Sequence, residues 1–509
     1  MSAATTILDL LAAGRDEAPA IAAPDRAPLD FAGLRRLCGE TVARLNALGV
    51  GRNDAVAIVL PNGPEMAAAF VAIACGATTA PLNPGYRAEE FDFYLGDLDA
   101  RLLVVERGSD SPALQVARAR GIPVVELVVP PGAPAGTFTL EGAGPGGTPA
   151  AAGPARADDV ALVLHTSGTT SRPKIVPLAH RNVCASARNI RVALALTAGD
   201  RCLNIMPLFH IHGLIAAVLS AIGAGGSVFC TPGFNALRFF AWLGEARASW
   251  YTAVPTMHQA ILGRAERNKE TIAAHPLRLI RSSSASLPPP VMRALEDTFG
   301  CPVIESYGMT EASHQMASNP LPPRPRKPGS VGIAAGPDVR IMDEAGDGLL
   351  PSGAVGEVVI RGDNVTRGYA NNPDANAKAF AGGWFRTGDQ GVIDAEGYLT
   401  ITGRLKELIN RGGEKISPRE VDDVLLDHPC VAQALCFAMP HDKLGEDVAV
   451  AIVLKDGAAA SEQDLRAFVA GRLADFKVPR KVVFLPEIPK GATGKLMRIG
   501  LAEKLGLAG

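Results

Sequence analysis

The segment Leu164-His165-Thr166-Ser167-Gly168-Thr169-Thr170-Ser171-Arg172-Pro173-Lys174 follows the apolar run DVALVL and gathers hydroxyls, a glycine and a closing lysine. Such a group suits a polyphosphate. Main-chain N–H and side-chain O–H donors reach its oxygens, a glycine lets the backbone come close, and the ammonium neutralises charge. The GxxxxGK[ST] pattern is absent, so this is not a Walker A loop. Ser/Thr/Gly clusters after strands are also commonly plain turns, and the segment alone leaves both readings open.

The elements that must position this segment can be read from periodicity. From Leu29 to about Leu127, helical stretches such as FAGLRRLCGETVARLNALGV alternate with short apolar runs such as AVAIVL and RLLVVE, which predicts parallel α/β winding. Between Pro130 and Asp159, Gly, Pro and Ala without periodicity predict a surface excursion. Alternation resumes at Val160 and runs through DRCLNIM, GSVFC, ASWYTAV and LRLIRSS. The stretch VRIMDEAGDGLLPSGAVGEVVIRG then reads as a small antiparallel sheet or barrel. Near Gly403-Arg404-Leu405-Lys406 the style changes to a smaller α+β unit, with helices in PREVDDVLLDHP and SEQDLRAFVAGRLADF. The expected fold is α/β: a large multi-part body over 1–403 (two α/β subdomains plus a small β-barrel), a hinge at 404–406 and a small mobile α+β lid over 407–509.

Composition narrows the partners. A chain of 509 residues exceeds one ordinary core at roughly 100–200 residues per domain. Its 50 Lys+Arg against 52 Asp+Glu give a formal charge of −2, without the basic excess that favours nucleic acid or an anionic membrane. The 47% hydrophobic content with 54 glycines and 39 prolines describes a loop-rich globular protein. Eight cysteines form no CxxC pair and no zinc spacing, as expected of reduced thiols. The first twenty residues lack a basic leader, and Asp9 interrupts their apolar run, so they read as an amphipathic helix. Gly213 to Cys230 is uncharged and reads as a buried helix followed by a buried strand rather than a membrane span.

Six motifs in order resemble those of the adenylate-forming superfamily of acyl-CoA synthetases, adenylation domains and luciferases. The loop at 164–174 resembles its phosphate loop; MPLFHIHG at 206–213 its acyl-pocket motif; ESYGMTE at 305–311 its nucleotide-and-metal motif; GWFRTGD at 383–389 its ribose motif. GRLKELINRGGEKISPREV at 403–421 resembles its hinge and thioester loop, and PKGATGKLMR at 489–498 its C-terminal lysine motif. The resemblance implies ATP, Mg²⁺ and coenzyme A as the partners of a carboxylic acid. The acid and ATP would form an acyl-AMP and pyrophosphate, and CoA would then displace AMP. Thr166, Ser167, Gly168, Thr169, Thr170 and Lys174 would bind phosphates. Ser306, Tyr307, Gly308, Asp389 and Arg404 would bind the nucleoside and its charge. Thr310 would contact phosphate, Glu311 and Thr170 would hold the metal, and Lys495 would bridge carboxylate and α-phosphate as charge develops. Lys406 would be the hinge residue, and Gly412, Gly413, Glu414 and Lys415 the loop that meets the pantetheine thiol. Taken singly these residues have plainer readings: a surface lysine, a core tyrosine, a turn-capping aspartate, a loop tip.

Three features bear on the acid: His210 and His212; the run RSSSASLPP with Arg281, Ser282, Ser283 and Ser284; and His314-Gln315. Long acyl chains need apolar walls, because an unpartnered buried polar group costs roughly 1–3 kcal/mol. This set offers donors instead, suiting a short acid with a second carboxylate. Within the superfamily, the residues at 165–172, 281–286 and 309–320 are similar to those of oxalate–CoA ligases. Oxalate is the expected acid; malonate, another short- or medium-chain acid, or delivery to a carrier protein are the alternatives. Arg281 could supply the countercharge or pair with a carboxylate in the core. The chain ends KLGLAG, without a peroxisomal address, and a cytoplasmic monomer or homodimer is expected.

Overall fold

Short apolar strands flanked by helices stack as parallel layers because helices cover both faces. The computed structural model describes residues 4–166, 173–343, 345–346, 348–490 and 496–507. Ala55–Val59 pairs in parallel with Thr78–Pro81 and Leu102–Glu106 inside a seven-stranded sheet. The helix Phe31–Ala47 begins at Asp30, whose carboxylate accepts from Gly33 N, and buries Leu34, Leu37 and Leu45. A nine-stranded sheet follows, its parallel centre formed by Arg201–Asn204, Ser227–Cys230, Trp250–Ala253, Leu279–Ser282 and Val303–Met309.

Three expectations need adjusting. The segment from Pro130 to Asp159 is not purely a surface excursion: Thr139–Gly142 adds an antiparallel edge strand, and Ala135, Phe138 and Leu140 are buried. Its Gly/Pro-rich composition masks a strand too short to show a period. The first helix is a single turn, Ile7–Leu10, capped by Thr6 and Asp9. The third sheet joins Asp338–Met342, Val355–Arg361, Trp384–Ile393, Phe380–Ala381 and Leu399–Arg404 as an open five-stranded antiparallel sheet, with no pairing that closes a barrel among the described residues.

Gly213 to Cys230 folds as its composition indicates. The buried helix His212–Leu219 continues through Ser220–Gly223 to the buried strand Ser227–Cys230. Among the described residues no helix is long and apolar enough to cross a membrane. All eight cysteines are free thiols, seven of them buried.

Main-chain pairing passes from the body to a separate unit after Leu399–Arg404. Ile409–Arg411 already belongs to a second five-stranded sheet with Glu414–Ile416, Val431–His441, Gly445–Leu454 and Lys481–Phe484. Helices Pro418–Leu426 and Glu462–Ala470 cover it and share a core that includes Val421, Leu425, Val450 and Leu465.

Candidate active site

The strand Val303–Met309 carries Ser306, Tyr307 and Gly308 and ends in the tight turn Thr310–Ala312, which places Thr310 and Glu311 directly beyond the sheet edge. Ligands of open α/β sheets collect at such carboxyl ends. The chain then reverses, and His314–Ser318 pairs antiparallel with the same strand. The reversal requires Ser313 at φ 49° and His314 at φ 98°, and Ser284 stands at φ 73° nearby. Non-glycine residues in this region store strain, which commonly marks a functional site. Gly308 makes the turn possible, since a Cβ there would lie 1.8 Å from the His314 carbonyl oxygen.

A cavity of 410 Å³ opens between the body and the C-terminal unit, lined by Ser284, Tyr307, Asp389 and Arg404 on one side and by Arg419 and Arg498 on the other. Asp389 and Arg404 are cross-strand partners, with Arg404 Nε 2.9 Å from Asp389 Oδ1. The Tyr307 hydroxyl donates to the other carboxylate oxygen of Asp389. Burial and the adjacent Asp389 push the Tyr307 phenol far above its ordinary value, and Asp389 also holds Arg404 firmly charged. The arrangement leaves a carboxylate acceptor beside an aromatic face, which suits a nucleoside.

Glu311 lies behind this wall, 6% exposed, with Oε1 accepting from the Tyr369 hydroxyl at 2.8 Å. Burial raises its pKa, opposed by that hydrogen bond and by the charges of Arg404 and Lys174. Lys174 pairs with Thr166 across two strands and places Nζ 4.4 Å from the centre of the Tyr369 ring. Burial lowers its pKa, and the charge of Lys406 lowers it further. Lys406, in the exposed turn after Arg404, therefore contributes to the same field as the phosphate-loop lysine. Ser167, Gly168, Thr169, Thr170 and Lys495 lie outside the described residues. Leu496, next in sequence to Lys495, lines the cavity.

The acid-pocket set divides in two. His212 begins a π-helical stretch, a geometry frequent at functional sites, and is buried, with Nδ1 3.0 Å from Ser284 Oγ and Nε2 2.6 Å from Thr252 Oγ1. The His314 ring centre is 4.9 Å from that of His212. His210 is half-buried, and its Nδ1 accepts from His212 N at 3.3 Å. Ser282 and Ser283 do not join this group. Ser283 Oγ donates to the Ser306 carbonyl at 3.0 Å, the Ser282 carbonyl accepts from Ser306 Oγ at 3.3 Å, and both residues are sealed between strand ends. Arg281 is fully buried and is not among the cavity-lining residues. Gly412, Gly413, Glu414 and Lys415 form an exposed hairpin tip that does not line the cavity either.

Sequence reasoning missed Thr252, Tyr369 and the group of Arg419, Asp422 and Arg498. Thr252 sits inside ASWYTAV, whose apolar pattern announces only a core strand. Tyr369 lies in RGYANN, between two motifs, and carries no spacing signal.

The family model described as AMP-binding enzyme matches residues 9–370, and the AMP-binding enzyme C-terminal domain matches 420–495. An oxalate–CoA ligase of Arabidopsis thaliana is 46% identical over 83% of this chain and 82% of its own. An oxalate–CoA ligase of Saccharomyces cerevisiae is 45% identical over 83% and 81%. ATP-bound MatB from Rhodopseudomonas palustris superposes with a TM-score of 0.88 at 30% identity, covering 98% of both chains.

Proposed function

The chain belongs to the AMP-binding enzyme family, and we propose that it is an ATP-dependent, AMP-forming acid–CoA ligase whose acid is oxalate. One observation carries the choice of acid: directly behind Ser284, which lines the nucleotide cavity, stands a buried hydrogen-bonding group, His212 bonded to Ser284 with His314 against it, where an acyl chain would need apolar side chains. A small dianion gives each donor an acceptor. Relatives named oxalate–CoA ligases support the same reading.

A carboxylate is a poor electrophile, so activation comes first. One acid oxygen attacks the α-phosphorus of ATP and pyrophosphate leaves; the CoA thiol then attacks the acyl carbon and AMP leaves. Asp389 accepts the ribose hydroxyls, and Tyr307, held by its hydroxyl to Asp389, offers its ring face to adenine. Lys174, with Thr166, Ser167, Gly168, Thr169 and Thr170, cradles the phosphates, and Thr310 contacts phosphate. The residues fit Mg²⁺: Glu311 is a buried carboxylate at the phosphate end with one oxygen fixed by Tyr369, and Mg²⁺ commonly takes one or two carboxylates plus phosphate and water. Glu311 would hold the ion, which screens phosphate charge when bound. Lys495 stabilises the charge that develops at the α-phosphate. The unit over 407–509 turns about Lys406 between the half-reactions, bringing Gly412, Gly413, Glu414 and Lys415 to the thiol.

Pyrophosphate release measured with oxalate, malonate, acetate, hexanoate and benzoate, with and without CoA, tests this reading. Oxalate is expected to give the highest kcat/KM, and a preference for hexanoate or benzoate would overturn it.

A further inference from the structure

Arg281 is the second largest fully buried side chain, set in the centre of the nine-stranded sheet with Thr252 and Ile304 as its cross-strand neighbours. Among the described residues it forms no ion pair, and its Nε has no hydrogen-bond partner. Burial draws its pKa down to about 9, which leaves it charged at neutral pH. An isolated buried cation is costly, and nothing in the packing of this strand requires one. Its four polar neighbours belong to the buried polar group behind Ser284. Nη1 lies 3.4 Å from His212 Nε2 and from Thr252 Oγ1; Nη2 lies 3.3 Å from His314 Nδ1 and from Gln315 Oε1.

A guanidinium only donates. An imidazole nitrogen that hydrogen-bonds to it presents a lone pair, with the Thr252 hydroxyl, 2.6 Å from His212 Nε2, donating to the same nitrogen, and a neutral imidazole then carries its proton on the other nitrogen. For His212 that nitrogen is Nδ1, 3.0 Å from Ser284 Oγ, so the ring donates to the serine and the serine hydroxyl is left to donate into the cavity it lines. For His314 it is Nε2.

Building on the oxalate reading, we propose that Arg281 is a positioning residue that fixes His212 and His314 as neutral N–H donors and supplies, without touching the acid, the positive charge that selects a dianion. The second carboxylate then meets donors oriented before it arrives and a countercharge whose desolvation cost is already met in the fold.

Gln315→Glu is the decisive variant. It is nearly isosteric and gives the guanidinium a carboxylate of its own. We compare the full-length wild type, Gln315→Glu, Arg281→Lys and Arg281→Met with oxalate and with glyoxylate, a monoanion of similar size, each at saturating ATP and CoA. Gln315→Glu is expected to lower kcat/KM for oxalate about 10- to 100-fold through KM, to leave the KM for ATP unchanged, and to affect glyoxylate much less. Arg281→Lys should retain more oxalate activity than Arg281→Met. Selective ¹⁵N-histidine spectra should show His212 protonated at Nδ1 and His314 at Nε2. An unchanged oxalate-to-glyoxylate ratio in Gln315→Glu, an equal loss of both acids, or the opposite tautomers overturns the proposal. A wild type that does not prefer oxalate to glyoxylate removes the oxalate reading beneath it, and the two failures are told apart by which protein shows them.

Discussion

Arg281 and His314 are buried on strands of the nine-stranded sheet with His212 of the helix His212–Leu219 against them, whereas Arg404, Glu407 and Arg498 line an open cavity between the body and the C-terminal unit. Both groups are polar, but they are held differently. In the first, Arg281 and His314 are fixed by strand pairing, and Arg281 hydrogen-bonds to both His212 and His314, so a rearrangement would leave buried polar atoms without these partners. In the second, charge meets charge beside the cavity: Arg498 pairs with Glu407 at 3.2 Å and with Asp422 at 2.7 Å. Among the described residues, two hydrogen bonds from side chains of that unit reach main-chain carbonyls of the body. Arg419 Nη1 donates to the Ile401 carbonyl at 2.7 Å, and Ser417 Oγ donates to the Thr402 carbonyl. Such bonds contribute about 0.5–1.5 kcal/mol each, which permits rotation on a catalytic timescale. The proposed function assigns discrimination to the rigid region and motion to the loosely tied one.

The sharpest way to break this division is to remove one residue from each side. Lys495→Ala, on the moving side, should lower adenylate formation on the order of 100- to 1000-fold while sparing thioester formation from supplied acyl-AMP. Equal loss of both half-reactions would deny it a role specific to the first. His314→Ala, on the rigid side, should raise the KM for oxalate roughly 10- to 100-fold at constant KM for ATP, read from steady-state pyrophosphate release. A matching loss of ATP affinity would mean that the pocket and the nucleotide site are not separable. Lys406→Pro should slow CoA-dependent AMP release by about 10-fold relative to pyrophosphate exchange, since proline restricts the backbone rotation that the hinge must absorb. Single-turnover measurement of both halves would show unchanged thioester formation if rotation occurs elsewhere.

The C-terminal unit was the more legible of the two regions. Its sequence changes style at 403–406, and strand pairing passes from one sheet to the other between Arg404 and Ile409. The phosphate and nucleotide motifs were likewise visible because turns and hydroxyls leave local marks, but only the fold shows that Asp389 and Arg404 stand side by side. The acid pocket was only half visible. RSSSASLPP announced donors, but a strand alternates its faces, and only the fold shows that Ser284 turns to the cavity while Ser282 and Ser283 secure the sheet. Thr252 and Tyr369 were not readable, because their roles depend on partners 40 and 58 residues away in the chain.

Glu305 stands at the boundary between the two regions and provides the smallest and most graded test. It is fully buried on the strand that carries Tyr307, with Oε1 accepting from Leu287 N at 2.9 Å and Oε2 without a partner among the described residues. Burial raises its pKa from 4.5 to about 7, against the attraction of Arg419. The folded chain thus keeps this proton up to about pH 7, whereas the unfolded chain releases it near 4.5. Between those values the folded state binds more protons, so this group's contribution to stability falls as pH rises through the window. Glu305→Gln cannot ionise and can keep the bond to Leu287 N. Its Tm should decline less than that of the wild type between pH 5 and pH 8, by roughly 2–3 °C, in thermal unfolding at matched ionic strength. Parallel Tm curves would mean that the boundary is wet enough to carry an ionised carboxylate, and the rigid region would then end deeper in the sheet than Glu305.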